Sequence, residues 1–425
     1  MEKIALLFPG QGSQFIGMGR SLYEEYPIAK LTFEEAGDIA QVNIAKLCFE
    51  GSLWELNRGE NLLPALLTTC VAAFRVYMKE VGIRPHFCAG HSLGEYSALA
   101  CSGVISFEDA ICITQFRGKL MHDNADKDLG SMTILDGIDT RIVGELCKQH
   151  SEDNRQVAAI SCYNSPTQVA ISGNKDVIEK VEMEVLDKEG HITPLMSSAP
   201  IHSPLMLEEA EKLCYELSKY RFNMFKWPVI SNVTGVPYGK PENTVDLLTL
   251  QMVKPVQWTK TLHYLNLLGM THAIEMGPKN VLNKLTEINL PNVTSLCFGE
   301  KADRQSLINL SIAANPDRRE EQTIITKCLA IAVATPNFNW NEIEYQEGVV
   351  KPYKRIQSLQ EEIEKTGKHP TKVQMIEALE LLQEIFQTKK LPYHERSQWL
   401  QNIIDETGKH YELTDFLINQ NISSL

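Results

Sequence analysis

Among the 425 residues of this chain, Gly90-His91-Ser92-Leu93-Gly94 constrains the fold most tightly. It follows a short apolar run, His86 to Ala89, and opens a segment in which Leu93, Tyr96 and Leu99 share one helical face. A G-x-S-x-G string between a strand and a helix has the context of a nucleophile elbow. The glycines permit a tight, strained turn, the Ser92 hydroxyl is pushed into the open, and the N–H groups at the helix start face a developing oxyanion. A glycine-flanked turn that merely contains a serine is the alternative.

The surrounding pattern fits an elbow. Residues 3 to 8 read as a buried strand feeding Pro9-Gly10-Gln11-Gly12, Pro64 to Glu80 has helical spacing, and Ser106 to His122 reads as a helix opened by Ser106. Alternating helices and short apolar strands predict an α/β sheet that is largely parallel. Residues 131 to 197 break this rhythm with strands at 132–135, 157–163, 168–172 and 192–196 and helices at 140–150 and 175–186. That order, β-α-β-β-α-β, is ferredoxin-like. The α/β pattern resumes with strands at 228–232 and 273–275. Beyond residue 300 the chain becomes charged and helical, with a helix from Asp303 to Gln322, a strand from Cys328 to Thr335, and amphipathic helices at 345–365, 371–388 and 393–406. In the second of these, Val373, Ile376, Leu379, Leu382 and Ile385 fall on one stripe, which predicts packing among helices.

Composition narrows the function. The 41 Lys+Arg against 54 Asp+Glu give a formal net charge of −13, the wrong sign for broad attraction to nucleic acid or anionic lipid. The cysteines lack C-x-x-C or His/Cys clusters, so neither a disulfide framework nor a metal site is expected, and a reducing cytoplasm fits. The first apolar run is too short for a signal peptide, and no stretch is expected to reach membrane-spanning length. A Walker A sequence does not occur. His394-Glu395 lacks the second histidine of a zinc-protease motif, and Phe15 replaces the third glycine of a dinucleotide fingerprint.

Two further residues carry chemistry. His202 precedes Ser203-Pro204 and a helical run from Leu205 to Tyr220, so the positive end of a helix dipole would keep its ring neutral as a base for Ser92. A structural loop histidine is the competing reading. Arg117 sits in the apolar ridge Ala110, Ile113, Arg117, Leu120, Met121, where a guanidinium needs either an internal carboxylate or one brought by a ligand.

Six segments occur in order: Gly10-Gln11-Gly12-Ser13-Gln14, residues 90 to 96, Gln115-Phe116-Arg117-Gly118, Asn164-Ser165-Pro166-x-Gln168, Ala199-Pro200-Ile201-His202-Ser203, and residues 251 to 258. Together they resemble the malonyl-CoA:acyl carrier protein transacylases and the acyltransferase domains of polyketide synthases, over about residues 1 to 300. The resemblance implies an α/β-hydrolase-like core (1–130 and 198–300) with an inserted ferredoxin-like subdomain (131–197). The segment 301–365 resembles the linker after free-standing or trans-acting polyketide acyltransferases, notably at Ala332 to Asn337 and Tyr345 to Tyr353, and 366–425 is a mostly helical C-terminal extension that matches no family. The resemblance also implies Ser92 as nucleophile, His202 as base, an oxyanion hole from Gln11 and the Leu93 N–H, and Arg117 on the free carboxylate of a malonyl-type group. Met121 and Ile201 would line the substrate, and the Gln251 backbone carbonyl would orient the histidine. The implied partners are an acyl carrier protein, a malonyl-type thioester on CoA or phosphopantetheine and a neighbouring ketosynthase, with no resident cofactor or metal, no nucleic acid and no membrane. Ile201 and His122 depart from the residues common in malonyl-selective members, which leaves room for a hydroxymalonyl or aminomalonyl extender. An acyl hydrolase clearing stalled carrier proteins is the rival, against which the retained Arg117 argues.

Overall fold

The computed structural model describes residues 3–125, 130–152, 156–195, 199–314, 323–366, 369–407, 413 and 416, and the chain divides into two compact units, Met1–Ser311 and Ile312–Leu425. The strands of the first unit are, in chain order, β1 (Ile4–Phe8), β2 (Phe87–Gly90), β3 (Ser131–Asp136), β4 (Ala158–Ser165), β5 (Gln168–Gly173), β6 (His191–Leu195), β7 (Val229–Ile230), β8 (His272–Glu275) and β9 (Thr294–Cys297). Five of them form an all-parallel sheet in the order β7-β2-β1-β8-β9. β1 lies at its centre with all five residues buried, as a strand covered on both faces must be.

The other four strands form an antiparallel sheet in the order β4-β5-β3-β6. With helices Thr140–His150 and Lys175–Asp187 they make the expected ferredoxin-like unit around Leu135, Val143, Leu146, Val169, Ile171 and Val181. Met196, at the end of the expected last strand, lies outside the described residues. The subdomain is tied to the main sheet's side of the molecule at Val256, whose N–H donates to Ser161 O (2.8 Å) and whose carbonyl accepts from Tyr163 N (2.9 Å).

Helix Gly59–Glu80 corrects one expectation. Its 22 residues are long and apolar enough to cross a membrane, but 78% of that apolar window is buried inside the unit. It crosses helix Phe107–Ala125 at Gly59 and Gly118, where an added Cβ on Gly118 would sit 2.0 Å from Gly59 O. Arg117, the residue before Gly118 on this helix, is buried. The helices between residues 20 and 56, and β9, were not predicted from the sequence pattern.

The second unit is helical. The run expected as a strand at Cys328 to Thr335 belongs to helix Ile324–Ala334, because an apolar run of this length lacks the periodicity that separates a buried strand from a buried helix. Helices Lys351–Thr366, Lys372–Thr388 and Tyr393–Thr407 come after it. Cys328, Ile356, Leu359, Met375, Leu379, Leu382, Ile403 and Phe416 share one core, so a division at 365/366 falls inside a single packed body. Leu379, Leu382 and Ile385 of the expected stripe are buried, whereas Val373 is exposed and Ile376 only half-buried, and Met375, Ala378 and Phe386 complete the inward face. Thr371 and Gln374 form a capping box at the start of that helix. The expected helix from Asp303 runs as Lys301–Ala314, and residues 315–322 lie outside the described residues.

Candidate active site

β2 ends at Gly90, and the chain turns at once into helix Gly94–Cys101. Only glycine fits on either side of the serine: an added Cβ on Gly90 would meet Gly94 C and O at 1.9 Å, and one on Gly94 would meet Phe8 O at 1.9 Å. Ser92 itself has φ +51°, a left-handed conformation that costs a non-glycine residue energy and persists because the surroundings enforce it. Its N–H donates to Asn232 Oδ1 (2.7 Å), and Asn232 Nδ2 donates to Gly90 O (2.6 Å), so one side chain clamps both ends of the turn.

Ser92 Oγ lies 2.8 Å from His202 Nε2. On the other side of the ring, Nδ1 lies 2.5 Å from Gln251 O. A carbonyl only accepts, so Nδ1 carries the proton and the Nε2 lone pair faces the Ser92 hydroxyl. His202 also has positive φ (+61°), and its N–H donates to Met252 O (2.8 Å). Its ring stays neutral for a reason other than the expected helix dipole. Burial, reinforced by the nearby Arg117 charge, pulls its pKa down to about 3. The helix expected from Leu205 to Tyr220 runs as Leu207–Leu217, and the chain enters it from Ser203 through a three-residue 3-10 turn, Pro204–Met206.

Arg117 is fully buried. Its Nη2 reaches Gln251 Oε1 at 3.5 Å, its guanidinium carbon sits 5.3 Å from the Tyr96 ring centroid, and its Nε and Nη1 have no acceptor. Among the described residues no carboxylate forms a salt bridge with it, so an internal ion pair does not account for it. Met121, one turn further along the same helix, and Ile201, beside His202, are both buried in the apolar core that flanks the site. The Ile201 carbonyl accepts from Ser172 Oγ (2.9 Å), a link to β5.

The loop after β1 passes against the elbow: an added Cβ on Gly10 would lie 2.4 Å from His91 O and 3.5 Å from Leu93 N. Gln11 is exposed on this loop. Leu93 is buried, and its N–H donates to no group among the described residues.

Several residues of the site were not predicted. Glu95 is fully buried, and its Oε1 accepts from Tyr238 Oη (2.6 Å) and Asn232 N (2.9 Å). Burial pushes its pKa up to about 7, against the pull of those hydrogen bonds and of Arg117. The Gln251 side chain, and not its backbone alone, takes part: Nε2 donates to Glu95 Oε2 and to Ser92 O (3.0 Å). His91 meets Asn164 Oδ1 (2.9 Å) and the Trp258 ring, coupling the elbow to β4. A carboxylate inside the apolar helix after the elbow was legible by the argument used for Arg117, whereas nothing near Asn232 or Tyr238 in sequence marks them. Among the described residues no cluster of His, Cys, Asp or Glu suits a metal ion.

A parallel sheet whose strand ends in a glycine-flanked serine, met by a histidine from a distant loop, has the arrangement of an α/β nucleophile elbow. Residues 5–292 match the acyl transferase domain family. The malonyl CoA-acyl carrier protein transacylase of Bacillus subtilis is 36% identical over 402 residues, covering 93% of this chain and 99% of that protein. A malonyl-CoA:acyl carrier protein transacylase from Xanthomonas oryzae pv. oryzae matches in structure with a TM-score of 0.70 at 32% identity, over 73% of this chain and 98% of that one. A malonyl-transacylase solved in complex with its type II PKS acyl-carrier protein matches with a TM-score of 0.70 at 34% identity, over 73% of this chain and 100% of that one. The chain belongs to the acyl transferase family and is an acyltransferase. The B. subtilis alignment is too long to stop at the first unit, so the C-terminal helices, expected to match no family, do have a relative.

Proposed function

We propose that this enzyme moves a malonyl-type group from a thioester donor, through an ester on Ser92, to the phosphopantetheine thiol of an acyl carrier protein. One observation carries the reading: a fully buried Arg117 with Nε and Nη1 open, sharing Gln251 with the Ser92–His202 pair. A bidentate carboxylate satisfies both open donors, and a malonyl group has one where an acetyl group has none.

With Nδ1–H committed to Gln251 O, Nε2 takes the Ser92 proton as Oγ attacks the thioester carbonyl. The Leu93 N–H at the helix start, with Gln11, meets the oxyanion. His202 then returns its proton to the departing thiolate. In the second half-reaction the carrier thiol gives its proton to Nε2, its sulfur attacks the ester, and the bond to Ser92 breaks as Oγ regains a proton. Met121 and Ile201 form the apolar wall. The acyl group arrives on CoA or phosphopantetheine, so the scheme uses no resident cofactor.

The setting we favour is cytoplasmic polyketide, or hybrid polyketide and nonribosomal peptide, synthesis beside a ketosynthase. Support comes from the linker-like residues 332–353 and from the match to a type II PKS malonyl-transacylase. All ten cysteines are unpaired, in keeping with a reducing compartment. Ile201 and His122 keep a hydroxymalonyl or aminomalonyl group, delivered on a carrier protein, as the alternative extender. Intact-protein mass spectrometry after exposure to malonyl, acetyl and α-substituted malonyl donors tests the reading. A malonyl-type mass retained on Ser92 is expected. Hydrolysis of monocarboxylic acyl carriers without such a mass would identify a carrier-clearing hydrolase instead.

A further inference from the structure

Glu95 is a buried carboxylate at the centre of the site that the scheme above leaves unused. Three donors converge on it: the Tyr238 hydroxyl and the Asn232 N–H on Oε1, and the Gln251 amide on Oε2. The Gln251 NH2 is committed to Glu95 and to Ser92 O, which leaves its Oε1 as the side-chain atom it offers to Arg117. Its backbone oxygen meanwhile holds His202 Nδ1. One glutamine therefore touches the elbow, the base and the guanidinium, and its amide is oriented by its bond to Glu95.

We propose that Glu95 is the positioning residue of this site: its carboxylate fixes the Gln251 amide with the oxygen toward Arg117, and so holds the guanidinium with Nε and Nη1 open to a substrate carboxylate. The inference rests on the acyl-transfer reading above. The chemistry requires a carboxylate at this position, because both oxygens must accept. A glutamine at 95 would keep one acceptor for Tyr238 and Asn232 and turn an NH2 toward Gln251. To accept from it, the Gln251 amide must flip, which places donor against donor at Arg117 and gives up the bond to Ser92 O.

Wild type, Glu95→Gln and Tyr238→Phe are each exposed to malonyl-CoA and acetyl-CoA over a range of concentrations, with Ser92 loading followed by intact mass and a thermal melt recorded on each preparation. For Glu95→Gln, malonyl loading is expected to fall by roughly ten- to a hundred-fold, chiefly through a raised KM, while acetyl loading changes by less than about three-fold. Tyr238→Phe removes one of the three donors without altering the core shape, and a fall in the malonyl-to-acetyl ratio of about two- to three-fold is expected. It decides the matter alone should Glu95→Gln not fold. A folded variant with an unchanged ratio, or with both loadings reduced in proportion, gives Glu95 a merely structural role and overturns the inference. Failure of the wild type to load malonyl overturns the acyl-transfer reading itself and is seen separately.

Discussion

Arg117 in the first unit and Lys389 in the second are both buried cations, and the chain treats them in opposite ways. Lys389 Nζ donates to Ala332 O (2.7 Å), Thr335 O (2.8 Å) and Thr335 Oγ1 (3.4 Å), an acceptor for each of its three protons at the C-terminal end of helix Ile324–Ala334. Arg304, buried in the first unit, is likewise met by Phe298 O, Gly299 O and Glu25. Arg117 has five N–H donors and one long contact. A desolvated charge without partners is costly, and a chain that satisfies two of its buried cations but leaves the third open fits the proposal that Arg117 awaits a ligand carboxylate.

The largest effect expected is at the elbow. Ser92→Ala should abolish covalent loading, because no other nucleophile sits on the turn, and a stable acyl adduct on that variant would break the assignment. His202→Ala should slow both half-reactions by roughly a hundred- to ten-thousand-fold, as removal of a general base does. Transfer near the wild-type rate would move the base elsewhere.

The contrast between the two cations is itself testable. Arg117→Ala should lose malonyl loading while keeping or gaining acetyl loading, with a melting temperature no lower than the wild type's, since the deleted group has almost no internal bonds to lose. Lysine there should rescue poorly, being a point charge without the fork. Lys389→Met should do the reverse, leaving Ser92 chemistry alone and costing about 2–4 kcal/mol, because the carbonyls of Ala332 and Thr335 are left without their donor. If the two variants lose stability alike, the contrast between the sites fails.

Titration sharpens the same contrast. The Glu95 carboxyl is raised from 4.5 to about 7 by burial, so the folded state holds its proton more firmly than the unfolded chain. Its contribution to stability is fully present below about pH 4.5 and is lost as pH rises through about 7, in all about 3 kcal/mol. Glu95→Gln should therefore gain stability relative to wild type between pH 5 and pH 8 in urea denaturation. An unchanged difference would mean that the carboxyl does not titrate in this window. His202 has the opposite sign: with its pKa pulled from 6.5 to about 3, its contribution is present above 6.5 and is lost as pH falls toward 3.

Legibility in the sequence depends on the range of the interactions involved. The elbow, the ferredoxin-like insert and Arg117 were readable because each rests on local spacing: glycines around a serine, alternating periods, a charge in an apolar ridge. β9 and the helices over residues 20–56 escaped because their short segments carry weak periodicity and are held by tertiary packing. The helix Ile324–Ala334 reads as a strand because its apolar residues show no periodicity at all. Asn232, Tyr238 and the Gln251 side chain act across separations of 137 to 159 residues from the elbow, a distance no local pattern encodes.

The smallest effect expected is from removing the second unit, provided the cut respects the packing. Every residue given a catalytic or binding role lies between Gln11 and Gln251, and the first unit's last helix is anchored by Ser311 Oγ, which donates to Val81 O (2.6 Å). Solved relatives that match 73% of this chain over nearly their whole length have the length of the first unit alone. A chain ending at Ala314 should therefore load Ser92 from malonyl-CoA within about two-fold of wild type, since no catalytic contact is removed. A chain ending near residue 370 should fare worse despite being longer. It keeps Cys328, Ile356 and Leu359 but loses Met375, Leu379, Leu382 and Phe386, which close the same core, and so exposes a half-built apolar face. Measured side by side, loading and solubility of the two truncations separate the alternatives. Loss of loading by a folded chain ending at Ala314 would show that the helical unit completes the active site.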